Sequence, residues 1–515
     1  MSNLILSIFS GLILALSFPR AEQSLFAWFG FVFLFKVLKK VPSCRKAFLF
    51  SYLCGLIFFS VVTYWIVYVS FIGAFVFFLY LALYFGIFGA GVKWVEDKFD
   101  NVIIKVFLIA SLWTALEFIR SYVFSGFGWA LLGYSQCKNV KLIQIADITG
   151  AYGISFLIVF VNVVIFYLHD ITSVFNRLNE TLALKNMKNK VEFFAPRVII
   201  FLLALGFIWG SLKYGNERIE NFKARKEDLL KVSVVQGNIP QEIKWDNVST
   251  DLILDKYEKL SGMAAFDKPE VIIWPETALP GYLNEKALRQ KVSRLSISIA
   301  TPLLIGAPRF LEDEDVYFNS AVFFDKKGEI AGIYDKLHLV PFGEYLPFRR
   351  ILSPLTFFYP IADFSGGKKY HLFEIKNVRF GTLICFEDVF DNLTRNFIKE
   401  GADFMVNITN DAWFKESSEP YQHNQALVFR AVENKISAVR AGNTGQSLFI
   451  EPTGVIKARL VNMNNEDIFI DGFLTDNPSR GMMPTFFTKY GNVFAYACAA
   501  FFAVVCFWRR RFTKN

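Results

Sequence analysis

The sequence predicts a polytopic α-helical membrane bundle of about eight spans that carries an α/β layered domain. Three observations carry that prediction. Hydrophobic residues make up 54% of the 515 positions and Phe alone contributes 59, a content that excludes an ordinary soluble enzyme. The apolar runs are confined to residues 1–213 and 489–515, whereas 214–488 alternates strand and helix patterns as a globular domain does. Charge divides the same way: 214–488 holds 32 Lys and Arg against 37 Asp and Glu, and the remainder holds 23 against 9.

Stretches of about 20 apolar residues, the length that crosses a bilayer, fall near 3–18, 24–38, 47–69, 71–93, 102–124, 151–168, 197–213 and 490–508. The first lacks a basic lead and a small-residue cleavage site, so it reads as a span and not a cleaved signal peptide. The basic excess sits in particular loops: Lys39, Lys40, Arg45 and Lys46; Lys93 and Lys98; Arg177 to Arg197; and the tail Arg509-Arg510-Arg511. With eight spans these loops share one side, the cytoplasmic one by the positive-inside rule. Both termini are then cytoplasmic and 214–488 is exported. The net charge of +9 is therefore a topology signal, and no nucleic-acid partner is expected. The domains expected are a bundle over 1–213, a globular domain over 214–488, and a final span with its tail over 489–515.

Within the spans, Glu117 and Arg120 stand one helical turn apart; such residues are either functional or a local ion pair. The aromatic, Gly-rich loop 125–150 suits a membrane interface. In the globular part, strands are expected at 231–236, 271–274, 302–307, 318–325, 329–334, 378–385 and 403–408, with a terminal hairpin over 447–459. Helical periodicity covers 247–264, 284–298, 391–399 and 420–438. Strands and helices interleave, hence the α/β class.

Three strand-end residues have complementary chemistry. Cys385 ends the apolar run Val378–Ile384, next to acidic Glu387 and Asp388, where a helix N-terminus would favour a thiolate. It is the one Cys of six within 214–488, so that domain has no disulfide framework. Glu276 follows Val271-Ile272-Ile273-Trp274-Pro275 and suits a general base. Lys336, in Tyr334-Asp335-Lys336-Leu337-His338, suits an oxyanion. Taken singly, each also has a bland reading: a buried thiol, a capping carboxylate, a surface charge. Spacing alone does not bring them together.

The order Glu, Lys, Cys at strand ends resembles the nitrilase (carbon–nitrogen hydrolase) superfamily. The local sequences are similar to one membrane-embedded branch of it, the apolipoprotein N-acyltransferases. They are Gln236–Pro240 with Lys244-Trp245, Trp274–Thr277, Tyr334–Pro347, Asn410–Phe414 and Ser17-Phe18-Pro19. The resemblance implies an αββα nitrilase sandwich on the bundle, in a bacterial inner membrane with the active site on the periplasmic side. It implies transfer of a fatty acyl chain from a phospholipid donor to the α-amino group of a diacylglyceryl-apolipoprotein. Cys385 is then the nucleophile, Glu276 the base and Lys336 the oxyanion cation, with Glu344 and Glu387 supporting. Trp245, Asn238, Phe386, Trp413 and His423 are the implied substrate-binding residues. Phe386 stands where Tyr is common, and Lys415 where Gly is usual.

The aromatic segment 348–360, with Arg349 and Arg350, reads either as a gate at the bilayer surface or as a packed loop. His169, His338, His371 and His423 lack ligand spacing, so neither metal nor cofactor is expected. Two other functions fit parts of the pattern. A membrane-tethered amidase would use water as acceptor, although one anchor would serve it. A transporter with a silent domain would not need Glu276, Lys336 and Cys385 together.

Overall fold

The computed structural model describes residues 2–179, 187–244, 247–347, 349–352, 363–482 and 484–512. The chain forms two compact units, Met1–Glu220 with Tyr490–Asn515, and Asn221–Lys489.

In the first unit, five helices among the described residues are long and apolar enough to cross a membrane. They are Cys44–Val62, Phe71–Lys98, Val102–Tyr122, Ala151–His169 and Phe193–Ala224. The other three expected stretches are helical as well: Asn3–Ala15 is apolar but short, and the last helix runs Val493–Phe512. The 24–38 stretch breaks at Phe29 into a 3-10 turn, Ser24–Trp28, and the helix Gly30–Lys40. Helices Cys44–Val62 and Phe71–Lys98 pack closely through small residues: a Cβ on Gly55 would meet Phe85 Cβ at 2.5 Å.

The first half of the 125–150 loop packs into the unit. Phe127, Trp129, Leu131, Leu132 and Tyr134 are buried. Glu117 and Arg120 explain how irregular backbone survives there. Glu117 Oε1 accepts from Leu132 N at 2.7 Å. Arg120 Nη1 donates to the carbonyls of Phe127 (3.0 Å) and Trp129 (2.6 Å). Non-helical backbone inside an apolar unit needs such partners.

The described residues of the second unit form twelve strands. In chain order these are β1 (Val232–Gln236), β2 (Val271–Ile273), β3 (Leu303–Leu311), β4 (Val316–Phe324), β5 (Ile330–Asp335) and β6 (Leu372–Ile375). They continue as β7 (Val378–Ile384), β8 (Phe404–Thr409), β9 (Ser437–Gly442), β10 (Leu448–Ile450), β11 (Ile456–Arg459) and β12 (Gly472–Asp476). One sheet has the order β12-β1-β2-β3-β4-β5 and the other β11-β10-β9-β8-β7-β6. β1 touches β9 and β4 touches β7, so the sheets face each other. Helices Thr250–Ala265 and Lys286–Ser298 cover the first sheet; Ile253, Tyr257, Leu288 and Val292 pack on Ile272, Ile305 and Val322. Helices Asp391–Lys399 and Glu419–Asn434 contact β7 and β9 of the second. The result is an αββα sandwich.

Three strands escape the sequence reading: β6, β9 and β12. The helix expected over 420–438 ends at Asn434, because Lys435 turns left-handed with φ 52° and ψ 49°. The chain then re-enters as β9, a central strand buried on both faces. The segment 348–360 lies outside the described residues except for the turn Arg349–Leu352, where Arg349 pairs with Asp363 at 2.9 Å.

Candidate active site

β1, β2 and β3 run parallel, as do β7, β8 and β9. Ligand sites of layered α/β folds gather where parallel strands end at their carboxyl sides; Glu276 and Cys385 lie at such ends, and Lys336 lies at the end of the antiparallel edge strand β5. Glu276 follows β2, Lys336 follows β5, and Cys385 follows β7. Glu276 is reached through a crowded crossing: a Cβ on Gly306 of β3 would meet Pro275 O at 2.3 Å and Glu276 Cα at 2.6 Å. Only glycine allows β3 to pass that closely.

The structure brings Glu276, Lys336 and Glu344 into contact. Lys336 Nζ is 3.5 Å from Glu276 Oε1 and 2.9 Å from Glu344. Asn319 Nδ2 donates to both carboxylates, at 2.7 Å and 2.9 Å. The Asn410 N–H donates to Glu276 Oε2 at 2.9 Å. Glu344 also accepts from Val340 N, so its own loop holds it in place. Burial alone would weaken the Lys336 cation, but Glu344 and Glu276 outweigh it and hold its pKa above the ordinary lysine value. Lys336 is thus a standing positive charge.

Cys385 is partly exposed and has φ 52°, a left-handed conformation that lifts it out of the β7 ladder. One expectation is corrected here: Cys385 opens a five-residue 3-10 turn, Cys385–Val389, and the α-helix begins only at Asp391. The helix-dipole argument for a thiolate therefore falls away. Burial of the sulfur pushes the thiol pKa well above its ordinary value, the Glu276 charge adds to that, and Lys336 opposes it. Cys385 rests as a thiol and needs a base.

Glu387 is fully buried and faces away from solvent. It accepts from Tyr334 Oη (3.0 Å), Leu337 N (2.7 Å), His338 N (3.0 Å) and Ile384 N (2.8 Å). These bonds tie the loop after Lys336 to the end of β7. Burial pushes its pKa up to about 7, against those donors. The His338 ring lies on Phe390, with centroids 3.7 Å apart.

His423 belongs to a buried charge cluster behind Cys385. Its Nε2 is 2.9 Å from Asp388 Oδ1 and 3.3 Å from Cys385 O. Its Nδ1 is 3.4 Å from Asp411 Oδ1, 3.5 Å from Glu419 Oε1, and in close contact with Arg440. Arg440 also reaches Asp388 (3.1 Å) and Asp411 (3.3 Å). Burial and Arg440 disfavour the imidazolium, yet Asp388 and Asp411 outweigh them and raise its pKa to about 9. The ligand atoms of Asp411, Glu419 and His423 lie within 4.8 Å of one another, the spacing of a metal-ligand group, a proximity that sequence spacing did not suggest. Arg440 already supplies the positive charge there, so the donor set does not suit a cation.

The remaining predicted residues are less central. The Asn238 side chain donates to Phe469 O at 2.9 Å, a scaffold contact. The Phe386 ring packs edge-on against Phe390, with centroids 5.0 Å apart. Trp413 lies half-buried in the turn Asp411–Phe414. Trp245 lies outside the described residues. Sequence reasoning missed Asn319 and Arg440, whose only local signal was polarity inside apolar strands, and gave no role to Asp388 and Asp411, although both lie in stretches it singled out.

The fold defines a carbon–nitrogen hydrolase sandwich, in a chain that also holds an apolar helical unit. The carbon–nitrogen hydrolase model matches residues 231–471, and the apolipoprotein N-acyltransferase N-terminal domain model matches 10–164. The chain belongs to the apolipoprotein N-acyltransferase family. It is 35% identical to the apolipoprotein N-acyltransferase of Geobacter metallireducens, over 97% of this chain and 94% of that protein. It is 30% identical to those of Pasteurella multocida, over 95% and 92%, and Rickettsia prowazekii, over 95% and 94%. Among solved structures it is similar to an amidase from Nesterenkonia sp. AN1 at 18% identity and TM-score 0.38, covering 52% of this chain and 97% of the amidase.

Proposed function

We propose that the protein transfers a fatty acyl chain from a membrane phospholipid, through a thioester on Cys385, to the α-amino group of a diacylglyceryl-apolipoprotein. The observation that carries the chemistry is the meeting of Glu276 and Lys336 at 3.5 Å, both acting electrostatically on the Cys385 thiol. Glu276 takes the proton from Sγ as sulfur attacks the donor ester carbon. The oxyanion that forms is stabilised by Lys336. The C–O bond breaks, and the lysophospholipid leaves with the proton from Glu276. In the second half the acceptor amine attacks the thioester carbon, Glu276 takes a proton from nitrogen, and the C–S bond breaks to give the amide. The sulfur then recovers its proton from Glu276.

Glu344 and Glu387 position Lys336, and Trp245, Asn238, Phe386 and Trp413 contribute to substrate binding. His423 supports Cys385 from behind. Residues 1–213 and 489–515 anchor the catalytic domain 214–488 on the periplasmic side of a bacterial inner membrane, with both termini cytoplasmic. The apolar helices support a membrane setting, which two lipid substrates require. The test is mass spectrometry of the Cys385 peptide after incubation with phospholipid vesicles. An acyl adduct that disappears on adding a diacylglyceryl-peptide is the expected result; no adduct in the wild type would overturn the reading. Cys385→Ala should fold and give no adduct.

A further inference from the structure

Asn319 lies mid-strand in β4, buried, and is bonded to Glu276, Lys336 and Glu344 alike. Its backbone carbonyl accepts the Lys336 N–H at 2.9 Å. Its Nδ2 donates to Glu276 Oε1 at 2.7 Å and to Glu344 Oε1 at 2.9 Å. An amide nitrogen carries two protons, so both are spent on carboxylates. The other atom of the amide, Oδ1, is buried and receives no hydrogen bond among the described residues. Turning the amide over would set that oxygen against two carboxylate oxygens, so the acids fix its orientation. A buried acceptor left unmatched costs stability, and what the amide secures in return is its pair of N–H groups.

One of those N–H groups decides which oxygen of Glu276 is open. A carboxylate has two oxygens with two lone pairs each. Oε1 accepts from Asn319 and faces the Lys336 ammonium at 3.5 Å. Oε2 accepts from the Asn410 N–H at 2.9 Å and has no second donor among the described residues. Asn410 is itself fixed, its side chain donating to Gln241 Oε1 and accepting from Asn443 Nδ2, both at 2.8 Å. A proton arriving at Oε1 would meet an N–H and an ammonium, whereas Oε2 offers it a lone pair.

We propose that Asn319 is a positioning residue that makes Oε2 the proton-accepting atom of Glu276, by occupying Oε1 and tethering it to Glu344. The proton leaves Cys385 Sγ for Oε2 and passes from there to the leaving lysophospholipid, and Asn319 keeps both of its own. This rests on the reading of Glu276 as the base; the hydrogen bonds do not. The charged and titratable groups around Glu276 are Lys336 after β5, Glu344 in the loop that follows, and Cys385 after β7. Lys244 donates to Glu276 O at 3.2 Å, and Asp411 stands beside Asn410. Asn319→Leu removes none of these, so a moved pH profile reports on the amide.

The experiment is acylation of full-length protein in detergent by dispersed dioleoyl phosphatidylethanolamine. Rapid-quench mass spectrometry of the Cys385 peptide times it from about pH 5 to 9. Taking a donor from an ionised carboxylate favours the protonated form. Asn319→Leu should therefore move the acid limb up by about one pH unit, with acylation about tenfold slower at a fixed pH below it. Asn319→Asp, of the same size but adding a third carboxylate, should move it further the same way. A merely structural asparagine would slow acylation by one factor at every pH, so an unmoved limb in a folded variant would overturn the proposal. If neither variant folds, or the wild type is not acylated, a structure of Cys385→Ser decides. The serine hydroxyl is expected on the oxygen that Asn410 holds; on the oxygen that Asn319 holds, or on neither, it refutes. Glu276→Gln separates the two readings. Unchanged acylation in that variant would overturn the base itself, whereas its loss, with an unmoved limb in Asn319→Leu, would overturn only the role of the amide.

Discussion

Lys336 lies nearer to Glu344, at 2.9 Å, than to Glu276, at 3.5 Å. The carboxylate assigned as base therefore shares the lysine with a second carboxylate, and the ammonium stands between them. In Glu344→Gln, Lys336 should close onto Glu276 alone, drawing the cation away from the oxyanion position and occupying the carboxylate that takes the proton. Thioester formation should fall by one to two orders of magnitude, at the low end of what a general base contributes. Rapid-quench mass spectrometry of the Cys385 peptide measures this, and a rate within about twofold of wild type would contradict the assignment.

Glu387 acts by joining two strand ends. In Glu387→Gln an amide NH2 would face N–H groups, leaving buried donors unmatched at a cost of about 2–4 kcal/mol. A lower Tm and loss of thioester should appear together, because Leu337 and His338 carry the loop that holds Lys336. Wild-type Tm with full activity would rule this out.

Lys244 is buried and donates to Glu276 O at 3.2 Å; it has no carboxylate within ion-pair distance among the described residues. Burial lowers its pKa to about 7 despite the nearby Glu276 charge. Between pH 7 and its unfolded value near 10.5 the unfolded chain binds more protons, so this group's contribution to stability rises with pH. The penalty is full below pH 7 and is relieved as pH approaches 10.5. Lys244→Met should raise Tm most at about pH 6 and have little effect at about pH 10. Differential scanning fluorimetry in detergent reads the trend; a gain that grows with pH would contradict it.

Gly445 is required by the cluster behind Cys385. A Cβ there would lie 2.0 Å from Asp411 Oδ2. Gly445→Ala must displace Asp411 from Arg440, leaving buried charges mispaired, and should cost about 3–5 kcal/mol. A fall in Tm of more than a few degrees is expected, and an unchanged Tm would show that the backbone yields instead.

The site was legible where chemistry sits in local sequence. Glu276 and Cys385 each end a short apolar run, a pattern visible without neighbours. Asn319 was invisible because it lies mid-strand in β4, and its role comes only from pairing Glu276 with Glu344. Arg440 was hidden for a related reason. A charged residue in a buried strand has no local explanation until Asp388 and Asp411 arrive from two other segments. β9 itself was masked because Ser437-Ala438-Val439-Arg440-Ala441 follows a helix with no Pro or Gly to stop it. The left-handed turn at Lys435, which ends that helix, is a backbone choice with no glycine to announce it.

By itself, the sequence determined the division into an apolar helical part and an α/β domain. It also determined the chemical types at three strand ends, because hydropathy, periodicity and motif are properties of neighbouring residues. Only the tertiary structure decided that Glu276, Lys336 and Glu344 meet, that Cys385 opens a 3-10 turn, and that a charge cluster stands behind it. Those outcomes depend on which strands pair and in what register, contacts between residues tens to hundreds of positions apart that no local pattern encodes.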